Sequence, residues 1–269
     1  MLIDVENVHY SVGVRGTGQP VICIHGFAEN SNTWELIQLD NCQMVLVDLI
    51  GHGNSEKPYS LEPYHLSVIL HHLHELIHHL GFERYSLLGY SMGGRIALGY
   101  ALAYPQEVSR LILESSSYGL CDDQERADRR KHDAWLADSI QENGIEWFNT
   151  YWSSLSLFAS QIHVSPDIRQ KISERRLQNE PYALANILLG TGQGIFPCLK
   201  PQVSDLSMPV LYINGEYDEK YRKIGQEFTR LSPRIKREIM LGVGHNTHIE
   251  NPQGFTDIVK SFLERGPAT

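Results

Sequence analysis

The sequence predicts an α/β protein: a mostly parallel, twisted sheet covered by helices, with a helical cap inserted between two strands. Three observations carry this. Short unbroken apolar runs recur along the chain, several ending at glycines. The segments between them space their apolar residues as helices do, which is the alternation of a parallel sheet with crossover helices. Between residues 119 and 200 the rhythm changes to long, charged, helical runs with no strand among them. The resulting division is 1–118 for the first part of the core, 119–200 for the cap and 201–269 for the second part of the core.

In chain order, residues 3–14 alternate loosely and RGTGQP follows as a turn, which reads as a hairpin at the start of the sheet. Apolar runs at 20–24 (PVICI), 43–49 (QMVLVDL), 85–90 (YSLLGY), 109–114 (SRLILE) and 209–213 (PVLYI) read as strands. A sixth, 235–241 (IKREIML), is the most polar and is expected at an edge. The stretch 64–80 places apolar residues at 66, 69, 70, 73, 76, 77 and 80, a helical stripe, and Gly81 follows as a C-cap. Residues 91–103 form the next helix. Its glycines lower helix propensity by about 1 kcal/mol each, tolerable where the backbone must approach something closely. The cap runs are 122–143, 144–153, 165–179 and 181–190. The last helix spans 252–264, and the tail 265–269 is expected to fray.

A chain of 269 residues suffices for one large α/β domain with a sizeable core. Lys and Arg total 23 against 32 Asp and Glu, a formal charge of -9, with no basic tract. Nucleic acid is therefore excluded as a partner, while a local basic pocket for a small acid stays open. Cys23, Cys42, Cys121 and Cys198 form neither a CxxC pair nor a dense disulfide frame. A reducing compartment is the reading, with Cys23 a buried thiol. The start, MLIDVENVHY, lacks the basic residues and apolar run of a signal peptide. No apolar run reaches the roughly eighteen residues of a membrane span. These features predict a cytoplasmic protein, off the membrane, working as a monomer or small homo-oligomer.

His74-Glu75-Leu76-Ile77-His78 matches HExxH, the helix signature of zinc peptidases. It is refused as a catalytic metal site. Six histidines crowd 65–79, so a chance match is easy. Leu76 and Ile77 belong to the buried stripe, so His74 and His78 point toward solvent, and the following helix offers no third ligand. Stray zinc or nickel binding is all that is expected there.

Gly89-x-Ser91-x-Gly93, after an apolar strand and before a helix, is the G-x-S-x-G nucleophile turn. Its neighbours must be small because the turn is sharp, and the following helix aims free N–H groups at any anion nearby. A serine nucleophile needs a base, and the base an orienting acid. In this architecture they follow in the order Ser, Asp or Glu, His. PVLYINGEYD carries Asp218, with Glu216 as rival; LGVGHNTH carries His245, with His248 as rival. Gly244 is expected to let the His245 loop approach the serine. The backbone N–H groups of Met92 and Phe27 would form an oxyanion site. Gly51, His52, Gly53 and Ser55 are assigned to shaping a loop braced by Asp48.

With these motifs in place the chain resembles an α/β-hydrolase over nearly its whole length. More narrowly it resembles the menaquinone-pathway 2-succinyl-6-hydroxy-2,4-cyclohexadiene-1-carboxylate synthases. The stretches that carry this are GYSMGGR with Ser91 and Arg95, ERADRRKHDAWLAD with Arg129, Asp133 and Trp135, and WSSLSLFAS with Trp152 and Phe158. RRLQNEPYALANILLGTGQG with Arg176 and Asn179, NGEYDEKY and GVGHNTHIENP complete the match. Ser153 stands where some relatives of the resembled family carry a tyrosine, and Leu155-Ser156-Leu157 replaces a proline–leucine before Phe158, so the resemblance leaves one pocket wall different.

The resemblance implies a lyase that eliminates pyruvate from 2-succinyl-5-enolpyruvyl-6-hydroxy-3-cyclohexene-1-carboxylate, with neither metal nor organic cofactor. Ser91, activated by His245, would act as base on a ring proton. Arg95 lies one helical turn after Ser91 and would bind a carboxylate of a substrate that carries several. Arg129 and Arg176 would come from the cap, with Arg126, Arg130 and Arg175 as adjacent rivals. Trp152 and Tyr90 would supply rings to the pocket, Tyr90 otherwise packing in the turn. The alternatives are a serine hydrolase of a small polar ester or of a carbon–carbon bond in a keto acid, and a non-enzymatic small-molecule receptor on the same fold. An accumulating acyl-enzyme would mark the first; tight binding of unchanged ligand would mark the second.

Overall fold

The computed structural model describes residues 1–264; the fraying expected of 265–269 lies outside them. Eight strands form one sheet: β1 (Leu2–Val5), β2 (Val8–Arg15), β3 (Gln19–Ile24), β4 (Cys42–Val47), β5 (Tyr85–Tyr90), β6 (Val108–Glu114), β7 (Val210–Gly215) and β8 (Ile235–Met240). Their order is β1-β2-β4-β3-β5-β6-β7-β8. β1 with β2 and β2 with β4 are antiparallel; every other pairing is parallel. The hairpin differs from the sequence reading. It turns at Glu6 and Asn7, both with positive φ (52° and 67°), so β1 and β2 are its arms. RGTGQP carries the chain from β2 past β4 to β3 without pairing them. The polar strand β8 lies at an edge, as its composition predicts.

The helices that flank the sheet are α1 (Leu66–His79), α2 (Met92–Ala103), α6 (Glu219–Leu231) and α8 (Pro252–Glu264). Ile69, Leu73, Leu76 and Ile77 of α1 are buried on one face of the sheet with Ile22, Ile24 and Leu87. Phe255, Val259 and Phe262 of α8 are buried on the other with Val21, Cys23 and Leu88. The alternation of Leu87 and Leu88 between these clusters is the period of a strand buried on both faces. No helix among the described residues is long and apolar enough to cross a membrane.

Between β6 and β7 lies a helical insertion: α3 (Asp123–Ser153), α4 (Pro166–Leu177) and α5 (Pro181–Thr191), with a 3-10 segment at Ser156–His163. Asp122 caps α3 by accepting from the Glu125 N–H at 2.9 Å. Gly144 (φ 84°) breaks α3 where the sequence reading begins a new helix. Cys121 and Cys198 are joined in a disulfide, while Cys23 and Cys42 are buried and free. The disulfide stands against the reading of a reducing compartment, while Cys23 is the buried thiol expected. A separation of 77 residues gives no local signal. The two partners meet because the segments entering and leaving the insertion run side by side, with the Leu199 N–H donating to the Tyr118 carbonyl at 2.7 Å.

Candidate active site

Ser91 joins β5 to α2 with φ 51° and ψ -107°, a conformation unfavourable for a residue with a side chain. Neighbouring strands hold it there. Its N–H donates to the Glu114 carbonyl at 2.9 Å, and its carbonyl accepts from Ser116 Oγ at 3.0 Å. A Cβ at Gly89 would stand 2.5 Å from the Gly93 carbonyl oxygen, and one at Gly93 2.3 Å from those of Ile24 and His25. Both glycines are steric requirements of the turn.

Asp218 begins α6, and His245 sits in the loop between β8 and α7 (Thr247–Glu250). His245 Nδ1 lies 2.6 Å from Asp218 Oδ2, and its Nε2 lies 3.0 Å from Ser91 Oγ. A carboxylate only accepts, so Nδ1 carries the proton and Nε2 is left to accept from the serine. The rivals are committed elsewhere. Glu216 accepts from the Gly242 N–H at 2.9 Å. His248, fully buried, pairs through Nδ1 with Glu114 Oε2 (2.7 Å) and through Nε2 with Thr33 Oγ1 (2.8 Å).

Two carboxylates that the sequence reading did not single out fix the His245 loop. Glu114 also accepts from Thr247 Oγ1 (2.7 Å) and the His248 N–H (3.0 Å). Glu250 accepts from the N–H groups of Gly244 (2.7 Å) and Asn246 (3.2 Å). A charged residue closing the apolar run SRLILE was the available signal for Glu114. Gly244 also meets a steric requirement of the insertion: a Cβ there would stand 2.0 Å from Ser160 Oγ.

A cavity of about 180 Å³ opens beside Ser91, and Phe27, Met92, Arg95, Arg129, Trp152 and Tyr221 are among the residues lining it. The turn carrying Phe27 is braced by two buried histidines. The Leu49 N–H donates to His25 Nε2 at 3.0 Å, and the Ala28 N–H to His52 Nε2 at 3.2 Å. Each Nδ1 faces a backbone carbonyl, of Gly26 (2.7 Å) and Ile50 (3.0 Å) respectively. Both rings are thus neutral, and burial holds both below the ordinary histidine value. Asp48 braces the 51–55 loop as expected, accepting from the N–H groups of Ser31 (2.7 Å) and Asn54 (3.0 Å).

Arg95 is 5% exposed. Nη1 reaches only the Thr191 carbonyl at 3.4 Å, Nε has no partner, and the guanidinium lies 4.9 Å from the Phe196 ring centre. No carboxylate among the described residues pairs with it. Burial pushes its pKa down to about 10, opposed by Tyr221 and Asp133 and assisted by Arg129. Arg129 differs: Nε donates to Asp133 Oδ1 at 2.7 Å and Nη1 to Gln193 Oε1 at 3.2 Å.

Arg176 and Tyr90 are not brought to the cavity wall. Arg176 is buried, stands 5.2 Å from the Phe158 ring centre and donates to Ser153 Oγ at 2.7 Å. Its neighbour Arg175 is taken by Glu29 at 2.9 Å. Tyr90 falls on the α8 side of the sheet with Leu88, because strand residues alternate. Its ring packs 5.4 Å from His245 and 5.0 Å from His248.

Residues 19–252 match the α/β-hydrolase fold family. A Bacillus subtilis (strain 168) protein, provisionally named 2-succinyl-6-hydroxy-2,4-cyclohexadiene-1-carboxylate synthase, is 38% identical over 96% of this chain and 96% of its own. The synthase of that name from Serratia proteamaculans (strain 568) is 31% identical over 90% of this chain and 92% of its own. The structure of MenH from S. aureus superposes with a TM-score of 0.88 at 33% identity, covering 95% of this chain and 98% of that one. A thermophilic esterase from Thermogutta terrifontis, solved with malate bound, superposes with a TM-score of 0.82 at 23% identity, covering 95% and 93%, a likeness of fold. The chain belongs to the MenH-like 2-succinyl-6-hydroxy-2,4-cyclohexadiene-1-carboxylate synthase family of the α/β-hydrolase superfamily.

Proposed function

We propose that this enzyme eliminates pyruvate from 2-succinyl-5-enolpyruvyl-6-hydroxy-3-cyclohexene-1-carboxylate to give 2-succinyl-6-hydroxy-2,4-cyclohexadiene-1-carboxylate, a step of menaquinone biosynthesis. Ser91 Oγ gives its proton to His245 Nε2 as it removes a ring proton from the substrate. The released electron pair forms a ring double bond at C2–C3, the existing C3–C4 double bond moves to C4–C5, and the bond from C5 to the enolpyruvyl oxygen breaks. The leaving enolate takes a proton from His245 and departs as pyruvate. Asp218 holds the tautomer of His245 that makes this possible. The N–H groups of Phe27 and Met92 stabilise the charge that develops on the substrate carbonyl.

The observation that carries this reading is Arg95. A buried guanidinium without a carboxylate partner, in the wall of the serine's cavity, is unfavourable until an anion arrives. An apolar ester would leave it unpaired; a substrate carboxylate matches it in bidentate fashion. Arg129 and Trp152 contribute to the wall, and Arg176 and Tyr90 act by packing Phe158 and His245. Residues 119–200 serve as a cap over a small polyanion. The reaction is placed in the cytoplasm, where a polyanionic substrate made there is retained, with a monomer or small homo-oligomer as the working unit; the Cys121–Cys198 disulfide is then one held against a reducing surrounding. No cofactor is required.

The test is pyruvate release from freshly generated substrate by wild type, Ser91→Ala and Arg95→Ala. Wild type should release pyruvate well above buffer, and Ser91→Ala should be slower by at least about 100-fold, the usual range for losing a general base. Wild type at the buffer rate overturns the assignment. An acyl-enzyme formed from small acidic esters would then identify a hydrolase.

A further inference from the structure

The HExxH stretch refused above as a catalytic site acquires in the folded chain what the sequence did not supply. The third donor comes from Glu107, directly before β6, and not from the following helix. His74 Nε2 lies 3.1 Å and His78 Nε2 3.4 Å from Glu107 Oε1, and the three donor atoms are all within 4.8 Å of one another. Tetrahedral bonds of about 2.0–2.1 Å place two ligand atoms about 3.3–3.4 Å apart. The His78 separation meets that requirement, and the His74 separation is about 0.2–0.3 Å short of it. Two imidazole nitrogens and one carboxylate oxygen are a donor set that suits zinc and related borderline ions.

The surroundings are those of a prepared site. The far oxygen of Glu107 accepts from Tyr85 Oη at 2.6 Å, and Tyr85 Oη lies 2.5 Å from Tyr100 Oη. The carboxylate is thereby aimed. His74 turns its Nδ1 to Glu75 Oε1 at 3.3 Å, the carboxylate–histidine arrangement that fixes a ligating ring. Its ring also stacks on Tyr104 at 4.1 Å. His74 is therefore half-buried against the segment leading into β6, not turned to solvent as the helical stripe suggests. The His78 side chain is 45% exposed, so a fourth position faces water.

We propose that His74, His78 and Glu107 form a divalent transition-metal site, with zinc the ion its donors favour, that pins the end of α1 to the start of β6. The site is structural with respect to the chemistry. It lies at the N-terminal ends of the parallel strands, whereas Ser91 lies past the C-terminal end of β5, about 20 Å away along a six-residue strand. Glu75, the residue that polarises water in a zinc peptidase, is engaged with His74.

Zinc chloride titrated calorimetrically into metal-stripped protein tests this. Wild type should bind one equivalent and unfold at a higher temperature with zinc than without. Cobalt in its place should give the visible bands of a four-coordinate ion. His78→Gln and Glu107→Gln should abolish that equivalent, and Tyr85→Phe, which frees the far oxygen of Glu107, should weaken it about 10–100-fold. His71→Gln, elsewhere on the same histidine-rich helix, should leave it intact, and pyruvate release by stripped His78→Gln should match wild type. Zinc bound equally by wild type and His78→Gln overturns the proposal. So does binding lost in His71→Gln, or failure of zinc to raise the unfolding temperature. None of these outcomes depends on the identity of the reaction at Ser91.

Discussion

Asp218 Oδ2 lies 2.6 Å from His245 Nδ1, and both side chains are almost wholly withdrawn from solvent. The carboxylate dictates which imidazole nitrogen is protonated, and so whether Ser91 meets an acceptor or a donor. Asp218→Asn keeps the shape but offers an amide that can donate to Nδ1, moving the proton to Nε2. Turnover in pyruvate release should fall by about 10³–10⁴ with substrate affinity little changed. A loss below about tenfold would mean that Ser91 is not acting through His245.

Arg95 predicts opposite effects on stability and activity. Its guanidinium has given up water for one carbonyl at 3.4 Å and the face of Phe196. Arg95→Met removes that desolvated charge at similar length, so the urea midpoint should hold or rise. kcat/KM should fall by a factor corresponding to about 2–5 kcal/mol, the usual loss when a buried charged partner is removed. Arg95→Lys should fall between, since an ammonium keeps the charge but not the fork. If midpoint and activity drop together in Arg95→Met, the arginine is holding the fold and not the substrate.

Much of this site is local in sequence. Gly89, Ser91 and Gly93 are spaced by one turn, and Asp218 and His245 each follow a strand whose apolar run is plain. What was not legible depends on neighbours far apart in the chain. Tyr90 adjoins Ser91, yet strand alternation sends its ring to the opposite side of the sheet. Arg175 and Arg176 are adjacent, and only the fold assigns Glu29 to one and Phe158 to the other. The clamp of Glu114 on His248 spans 134 residues, and Glu107 meets His74 across 33. The helix α6 is not legible because its charged residues hide a narrow buried face at Tyr221, Gly225 and Phe228.

The Cys121–Cys198 disulfide closes the neck of the insertion. A crosslink over so long a loop restricts the unfolded chain, and its removal should cost about 2–5 kcal/mol. Cys121→Ser and reduced wild type should therefore unfold at similarly lower urea concentrations than oxidised wild type. Peptide mapping without reductant should recover the two cysteines in one linked fragment. Free thiols at both positions, with a midpoint indifferent to reductant, would refute the crosslink.

His25 and His52 make stability depend on pH with a definite sign. In the folded chain each accepts a backbone N–H at Nε2 and is neutral. Burial holds His25 below the usual histidine value despite the pull of Asp48, and holds His52 well below it, with His25 adding to the effect. In the unfolded chain both protonate near pH 6.5. Below about pH 6.5 the unfolded state therefore binds more protons than the folded one, so stability falls as the solution is acidified. The contribution is fully present above that pH and is lost on the way down toward the folded values. In that window each group adds to the slope, by at most about 1.4 kcal/mol per pH unit. His52→Asn can still accept from the Ala28 N–H but does not titrate. Urea midpoints taken from neutral pH down through the acid range should decline less steeply for His52→Asn than for wild type. Parallel declines would show that His52 takes up no proton on unfolding, and the neutral ring bracing the Phe27 turn would have to be abandoned.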